Sequence, residues 1–425
     1  MKRSMGIVAL VFLIFFVISF LTNILGPLVP DIIKGFNLSL TLAGFLPFSF
    51  FVAYGVMSIP AGVLLDRFGQ KPVLIAAFVL AFAGSFLFAS LPTFAVALTS
   101  LFMIGIGMTM LQVAINPLLR VAGGEEHFAF FSVMGQLVFG SASFLSPYVY
   151  SFLVTSLQGD AAPTGGILGL LAGLVPPHLP WVSLYWVFTV VTLAMILILV
   201  FVQLPRVELK EDERAGAASS YLELLGNRTV WLFFFGIFAY VGTEQGVANW
   251  VSRFLETYHG LDPQVAGARA VSFFWGLLTA GCLLGLVLLK LLDARKVLVW
   301  FSAAAMASLG FALAGPTSVS YVAFMMVGFF LSVMWSVVFS LALNSVAQHH
   351  GSFSGILCTG IVGGAVVSAL VGWLGDLVGL RAGMTVLFVT LAYILSIGLW
   401  ARPLIDNATV SPAELWRSLT GGKVV

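Results

Sequence analysis

The segment Gly62-Val63-Leu64-Leu65-Asp66-Arg67-Phe68-Gly69-Gln70-Lys71 separates two long apolar stretches of the chain. Asp66 falls at the predicted end of a helix, where a carboxylate can accept backbone N–H bonds or pair with an arginine. Gly69 permits a tight turn. Arg67 and Lys71 are the kind of residue that stays on the cytoplasmic side of a membrane. The segment therefore predicts a short basic turn between two membrane-spanning helices.

The rest of the chain is dominated by apolar residues. Its 425 residues are 60% hydrophobic and 8% charged, whereas a soluble domain usually carries about 25% charge. This composition excludes an ordinary soluble enzyme and a disordered chain. A net charge of +2 without a long basic stretch excludes a nucleic-acid binder. Two cysteines are too few for a disulfide framework.

Long apolar stretches recur along the whole chain and are separated by short polar turns. A helix that crosses a bilayer needs about 20 mostly apolar residues. The sequence therefore predicts an all-α protein in the lipid bilayer. Twelve spans are predicted near residues 5–33, 41–65, 71–91, 93–121, 128–157, 180–203, 229–257, 264–291, 295–314, 317–347, 351–377 and 382–402.

The basic residues test this count of spans. If both termini are cytoplasmic, only Lys34, Arg253, Arg269 and Arg381 fall on the outer side or at outer span ends. An odd number of spans would scatter the lysines and arginines between the two sides. This positive-inside bias predicts a multi-pass protein with both termini in the cytoplasm. The compact loops favour a bacterial inner membrane, and we expect a monomer.

One polar stretch, residues 204–228, divides the chain near its midpoint. The turns at 62–74 and 286–298 are both short and basic, and both end in Val-Leu, which indicates an internal repeat. Parallel six-helix repeats are a known plan of transporters, with the substrate site between them near mid-membrane. The predicted units are an N-terminal half at 1–203, a cytoplasmic linker at 204–228, a C-terminal half at 229–404 and a cytoplasmic tail at 405–425.

The pattern Gly62-x-x-x-Asp66-Arg67-x-Gly69-x-Lys71 resembles the loop signature of the major facilitator superfamily. The twelve spans and the midpoint linker fit this resemblance. It implies two pseudo-symmetric six-helix halves that expose a site to each side of the membrane in turn. It also implies a cytoplasmic gate formed by Gly62, Asp66, Arg67, Gly69 and Lys71, in which Asp66 and Arg67 latch the cytoplasmic helix ends in one conformation.

Further patches in both halves resemble the fucose–glucose–galactose symporter family. They include residues 110–117, 240–244, Gly363-Gly364 and Asp376. The resemblance implies a secondary active transporter of a monosaccharide, with no cofactor other than a coupling cation, Na⁺ or H⁺. It also implies that the protein is not an enzyme, and the five histidines show no ligand-type or catalytic spacing.

This sequence departs from the family at its intramembrane acids. The family's acids on spans 1 and 4 fall at Asn23 and Gln112, and an amide cannot carry a proton. Two polar sugar-contact positions on span 5 fall at Met134 and Leu137. These departures leave two alternatives open: a facilitative sugar uniporter, and a transporter of a more apolar or amphiphilic substrate.

Glu244 is the one acid that the sequence places deep in a span. It lies sixteen residues beyond Arg228, or about 24 Å along a helix. Intramembrane acids are costly and usually functional. Glu244 could bind Na⁺, titrate a proton or accept hydrogen bonds from sugar hydroxyls. The alternative is a structural carboxylate that pairs with Arg253.

A sugar site needs hydrogen-bonding side chains and an aromatic face for the C–H side of the ring. Amides and tryptophans inside the spans are the candidates, although membrane tryptophans are also common as packing or interfacial residues. The predicted substrate-binding residues are Asn23, Gln112, Gln136, Gln245, Asn249, Trp250 and Trp275.

Overall fold

The computed structural model describes residues 5–124, 128–158, 165–204, 218–346 and 348–404. This part of the chain contains twelve helical segments that are long and apolar enough to cross a membrane, which confirms the predicted count. Spans 1 to 12 are Met5–Phe36, Leu40–Phe68, Gln70–Ser90, Phe94–Gly123, Phe131–Leu157, Pro180–Phe201, Arg228–His259, Pro263–Leu291, Ala294–Ala314, Thr317–Leu343, Gly351–Val378 and Leu380–Trp400.

Several spans are interrupted. Span 1 consists of the helices Met5–Thr22 and Leu25–Phe36. Pro27 has no N–H to donate to the carbonyl of Asn23, four residues earlier, and this explains the break. The other interruptions are short: span 10 divides into Thr317–Leu331 and Met334–Leu343, span 11 into His350–Thr359, Gly360–Val362 and Gly363–Val378, and span 12 into Leu380–Gly383 and Val386–Trp400.

Two predicted connections contain helices that the sequence analysis did not foresee. The long connection between spans 5 and 6 carries a helix at Gly166–Leu174, and the predicted linker carries one at Ala218–Leu225. Linker residues 205–217 and the predicted tail, 405–425, lie outside the described residues. The proposed unit boundaries therefore stay predictions.

Successive spans run in opposite directions, so the turns gather at two faces. We call the face with residues 5 and 404 and the turn at Gly69 the terminal face, and the other the opposite face. The first six spans and the last six meet along three pairs: span 2 packs against span 11, span 5 against span 8, and span 1 against span 7.

The turn that was predicted to form a gate lies on the terminal face. Gly69 has φ +76°, a conformation that favours glycine. Lys71 donates from Nζ to the carbonyls of Val200 and Val202 at 2.9 and 2.8 Å. These carbonyls lie at the end of span 6, where a helix leaves its last carbonyls without partners. Lys71 supplies the missing hydrogen bonds, and its positive charge is favourable at the negative end of the helix dipole. The role of the turn as a gate stays a prediction.

Glycines allow close contact within each half. At Gly105 on span 4, a Cβ would stand 2.3 Å from the carbonyl oxygen of Phe50 on span 2. Backbone cannot yield as a flexible side chain can, so this contact requires glycine. At Gly173, in the short helix Gly166–Leu174, an added Cβ would meet no atom within 4 Å, and this position thus offers a matched control.

We expect Gly105→Ala to destabilise the folded protein by about 1–3 kcal/mol, because spans 2 and 4 must separate to admit the methyl group. The measurement is the thermal unfolding midpoint of purified protein in detergent. Gly173→Ala should leave the midpoint unchanged or raise it slightly, since alanine favours a helix. Equal midpoints for the two variants would contradict the close contact.

Candidate substrate-binding cavity

A cavity of about 390 Å³ lies between the two halves. Spans 1, 2, 4 and 5 form one wall, and spans 7, 8, 10 and 11 form the other. The lining runs from Thr22 and Trp275, in the middle of the bundle, to Leu289, two residues before span 8 ends at the terminal face. The cavity volume lies in the range of small-molecule sites, about 300–1,000 Å³.

Gln112 lines the cavity from span 4, as predicted from the sequence. Its Oε1 accepts a hydrogen bond from the hydroxyl of Tyr54 on span 2, at 3.2 Å. The bond leaves the amide NH₂ of Gln112 available to a ligand. Tyr54 is buried and lines the same cavity, although the sequence analysis did not include it in the site.

Asn23 and Gln136 also line the cavity. Asn23 stands at the break in span 1, and its Nδ2 donates to Oγ of Ser143 on span 5 at 2.8 Å. Ser143 in turn shares a hydrogen bond with Ser19, at 2.6 Å between the two hydroxyls. This cluster fixes the break of span 1 against span 5. Gln136 is exposed and therefore free to meet a solute.

Glu244 and Gln245 line the cavity from span 7. The phenol of Tyr240, one helical turn before Glu244, interacts with its carboxyl. Cys282 on span 8 lines the same cavity, and its thiol donates to the carbonyl of Ser332 at 3.3 Å. Arg253, the partner of the alternative structural prediction, instead bonds Glu256 at 2.7 Å. Tyr240 could have been found from its spacing of four residues to Glu244.

Two tryptophans supply aromatic surface. Trp275 lines the cavity, and within the described part of the chain its buried indole N–H has no acceptor. Trp335 follows the break in span 10, lines the cavity and stacks on Phe339, with ring centroids 5.7 Å apart. The sequence made Trp335 a stacking candidate, as it did Trp275, but the predicted set of binding residues took Trp275 alone of the two, since no sequence pattern separates a cavity tryptophan from a packing one.

Asn249 and Trp250 require a correction. Both were predicted to bind substrate, but both are buried, 2% and 0% exposed, and do not line the cavity. Asn249 donates to Oγ of Ser368 at 3.3 Å and Trp250 to the carbonyl of Ser368 at 3.0 Å. Five residues turn a helix by about 140°, so Asn249 leaves the face that carries Glu244. These two hydrogen bonds join span 7 to span 11.

A second correction concerns the acids. Glu244 was predicted to be the one deeply placed acid, but Asp31 on span 1 is only 6% exposed. Asp31 accepts hydrogen bonds from the hydroxyl of Tyr150 at 2.5 Å and from Nε2 of Gln264 at 3.1 Å. The sequence places Asp31 near a span end, where acids are normally solvated. It cannot show that the two halves close over this position.

Comparisons with known proteins agree with this architecture. A profile of the Major Facilitator Superfamily matches residues 11–361. The chain is 31% identical over 402 residues to the glucose/galactose transporter of Brucella abortus, with 91% of this chain and 92% of the relative covered. It is 24% identical over 394 residues to the L-fucose-proton symporter of Escherichia coli K12, with 87% of each covered.

A crystal structure of the E. coli fucose:proton symporter superposes with a TM-score of 0.66 at 21% identity, covering 93% of this chain and 98% of that one. Two halves of six spans around a central cavity define the class of membrane transporters with the major facilitator fold. The chain belongs to the Major Facilitator Superfamily.

We expect Gln112→Glu to make transport depend on pH. The new carboxyl loses its proton as the pH rises and places a charge where the neutral amide stood, whereas glutamine does not titrate. Uptake should therefore fall as the pH rises, by about threefold or more between about pH 5 and pH 8. The measurement is the initial rate at which proteoliposomes that contain the variant take up labelled substrate, at a series of pH values.

Gln158→Glu is the matched control, because it makes the same chemical change at an exposed position beyond the end of span 5. Its pH profile should follow that of the wild type. A flat profile in Gln112→Glu would show that Gln112 does not face the substrate path.

Proposed function

We propose that the protein is a secondary transporter of a hexose-type monosaccharide that works by alternating access of its two halves. The observation that carries this proposal is the cavity between the halves. Its wall combines amides at Asn23, Gln112 and Gln136, an acid at Glu244 and aromatic rings at Trp275 and Trp335. Amides and a carboxylate suit sugar hydroxyls, and tryptophan rings suit the C–H face of a pyranose.

The names of the relatives, glucose/galactose transporter and L-fucose-proton symporter, support a hexose over other polar solutes. A second candidate is a more apolar or amphiphilic substrate. It is favoured by Leu137 and by the leucines at positions 283, 286 and 289, which line the part of the cavity nearest the terminal face. Competition by a plain hexose separates the two candidates.

We place the terminal face in the cytoplasm. In the described part of the chain the basic residues at or near this face are Arg67, Lys71, Arg120, Arg228, Lys290, Arg295, Lys296 and Arg402, against Lys34, Arg253, Arg269 and Arg381 near the opposite face. This is the positive-inside distribution. The cavity, which reaches the terminal end of span 8, then faces the cytoplasm. Sugar would enter from outside after the opposite face opens.

We assign the coupling role to Glu244. It is the acid in the cavity wall, and Tyr240 and Cys282 are its polar neighbours. A proton is the simplest coupling ion for a single carboxyl, and a relative named as a proton symporter supports it. A Na⁺ ion near Glu244 would need several further oxygens. A facilitative uniporter is the alternative, because the positions at Asn23 and Gln112 carry amides.

The test is uptake of labelled glucose, galactose, mannose and fucose into proteoliposomes. Each sugar is offered with an inward proton gradient, with an inward Na⁺ gradient, or with neither. We expect accumulation of at least one hexose above equilibrium, driven by one ion. Equilibration without accumulation would mean a uniporter. Absence of flux for all four sugars, with flux of an amphiphile, would replace the sugar proposal by the second candidate.

Glu244→Gln should abolish gradient-driven accumulation and leave sugar exchange between the two sides measurable, since the amide cannot carry a proton. Accumulation and exchange are measured on the same vesicles. Glu223→Gln serves as the control, because Glu223 is exposed on the linker helix, and it should accumulate sugar normally. Intact accumulation in Glu244→Gln would remove Glu244 as the coupling site.

A further inference from the structure

At the opposite face, the N-terminus of span 2 is capped in part by its own residues and in part by the other half of the protein. Span 2 begins at Leu40, and the first four backbone N–H groups of a helix have no partner within it. Ser39 satisfies two of them: its hydroxyl accepts from the N–H of Leu42 at 3.2 Å, and its carbonyl accepts from the N–H of Ala43 at 3.0 Å. The N–H groups of Leu40 and Thr41 remain.

A carboxylate from the other half of the protein accepts hydrogen bonds from these two N–H groups. Asp376, near the end of span 11, accepts from the N–H of Leu40 at 2.9 Å through one oxygen and from the N–H of Thr41 at 2.7 Å through the other. The hydroxyl of Thr41 also donates to Asp376, at 2.5 Å. A negative charge at a helix N-terminus is further stabilised by the helix dipole.

Spans 2 and 11 approach each other closely at this contact because span 11 carries a glycine there. Gly372 lies one turn before Asp376 on span 11, and a Cβ there would stand 2.4 Å from the carbonyl oxygen of Leu40. Glycine at 372 therefore lets the start of span 2 reach the carboxylate. The cap exists only while the two halves touch at the opposite face.

Two other contacts join the halves at the same face. Asp31 on span 1 accepts from Gln264, which precedes span 8's main helix. Lys34 forms an ion pair with Glu256 of span 7. Lys34 is more than half exposed, and exposed ion pairs contribute little. Asp376 is also exposed, but among the described residues of this face it is the side chain that accepts hydrogen bonds from three donors of the other half.

We propose that Asp376 is a gating residue for transport: it holds the opposite face closed by capping span 2 from the other half, and it must release this cap before the opposite face can open. The inference rests on the proposed alternating access. Because the cap stabilises only the closed arrangement, its loss shifts the population toward the arrangement that is open at the opposite face. Removal of a helix cap corresponds to about a fivefold shift.

The test measures the opening directly. Spin labels are attached at Leu91→Cys, in the turn between spans 3 and 4, and at Ser318→Cys, near the start of span 10. Both positions are exposed, and they lie at the opposite face on different halves. Cys282 and Cys358 are replaced by alanine in the labelled chains only, and sugar uptake is measured in chains that keep both cysteines. The distribution of distances between the labels is then recorded for the full chain in lipid, without substrate.

We expect Asp376→Ala to raise the ratio of the long-distance to the short-distance population by about fivefold. Asp376→Asn, which keeps one acceptor oxygen but loses the charge, should give a smaller shift. The control is Asp293→Ala. Asp293 also caps a helix, but within one half: it accepts from the N–H of Arg295 at 2.7 Å, and the side-chain bond from Arg295 holds the pKa of Asp293 below its usual range. The distances between the two spin labels in Asp293→Ala should match those in the labelled chain that keeps Asp293 and Asp376.

Asp376→Asn retains a good capping side chain and keeps the test possible if Asp376→Ala does not fold. Unchanged distances in the Asp376 variants, with intact sugar uptake, would overturn the gating role and leave the proposed transport standing. A shift in distances in a protein that moves no sugar would support the gating role and overturn the proposed cargo. The external half-saturation concentration for sugar should also fall in Asp376→Asn, a change that mere loss of stability would not produce.

Discussion

A backbone N–H or C=O that lies in a bilayer must find its partner inside the protein, since lipid offers none. This constraint bears on the breaks in spans 1 and 10. The break in span 1 follows from Pro27, and Asn23 at that break is held by Ser143 on span 5. The break in span 10 is lined by Ser332 and Val333, both in the cavity wall. At these two breaks the irregular backbone thus lies where the cavity, not lipid, adjoins the helix.

The same constraint acts at helix ends. Lys71 donates to the last carbonyls of span 6, and both partners of these bonds belong to the same half. Asp376 completes the first N–H groups of span 2 from the other half. The first contact supports the fold of a half, whereas the second depends on the relative position of the halves. The cap between the halves therefore has a conformational consequence that a cap within one half does not need to have.

The sequence was sufficient for the number of spans and for much of the cavity wall. Apolar length and charge placement fix where helices cross, and five of the seven predicted binding residues, together with Glu244, line the cavity. The sequence could not exclude Asn249 and Trp250 from the binding site, because they follow Glu244 closely in the chain. On the helix, however, their side chains leave on a different face from Glu244. The sequence also missed Tyr54, whose relation to Gln112 spans 58 residues and arises only when spans 2 and 4 pack.

Asp31, which is buried, and Glu244, which is partly buried, show why burial alone does not identify a coupling site. Asp31 accepts hydrogen bonds from Tyr150 of its own half and Gln264 of the other, so its oxygens are occupied by donors while the opposite face is closed. Glu244 has the phenol of Tyr240 beside it and faces open cavity. A substrate or an ion that enters the cavity meets Glu244 and cannot reach Asp31 until the halves separate. Asp31 is therefore placed to respond to the position of the halves, and Glu244 to what the cavity contains.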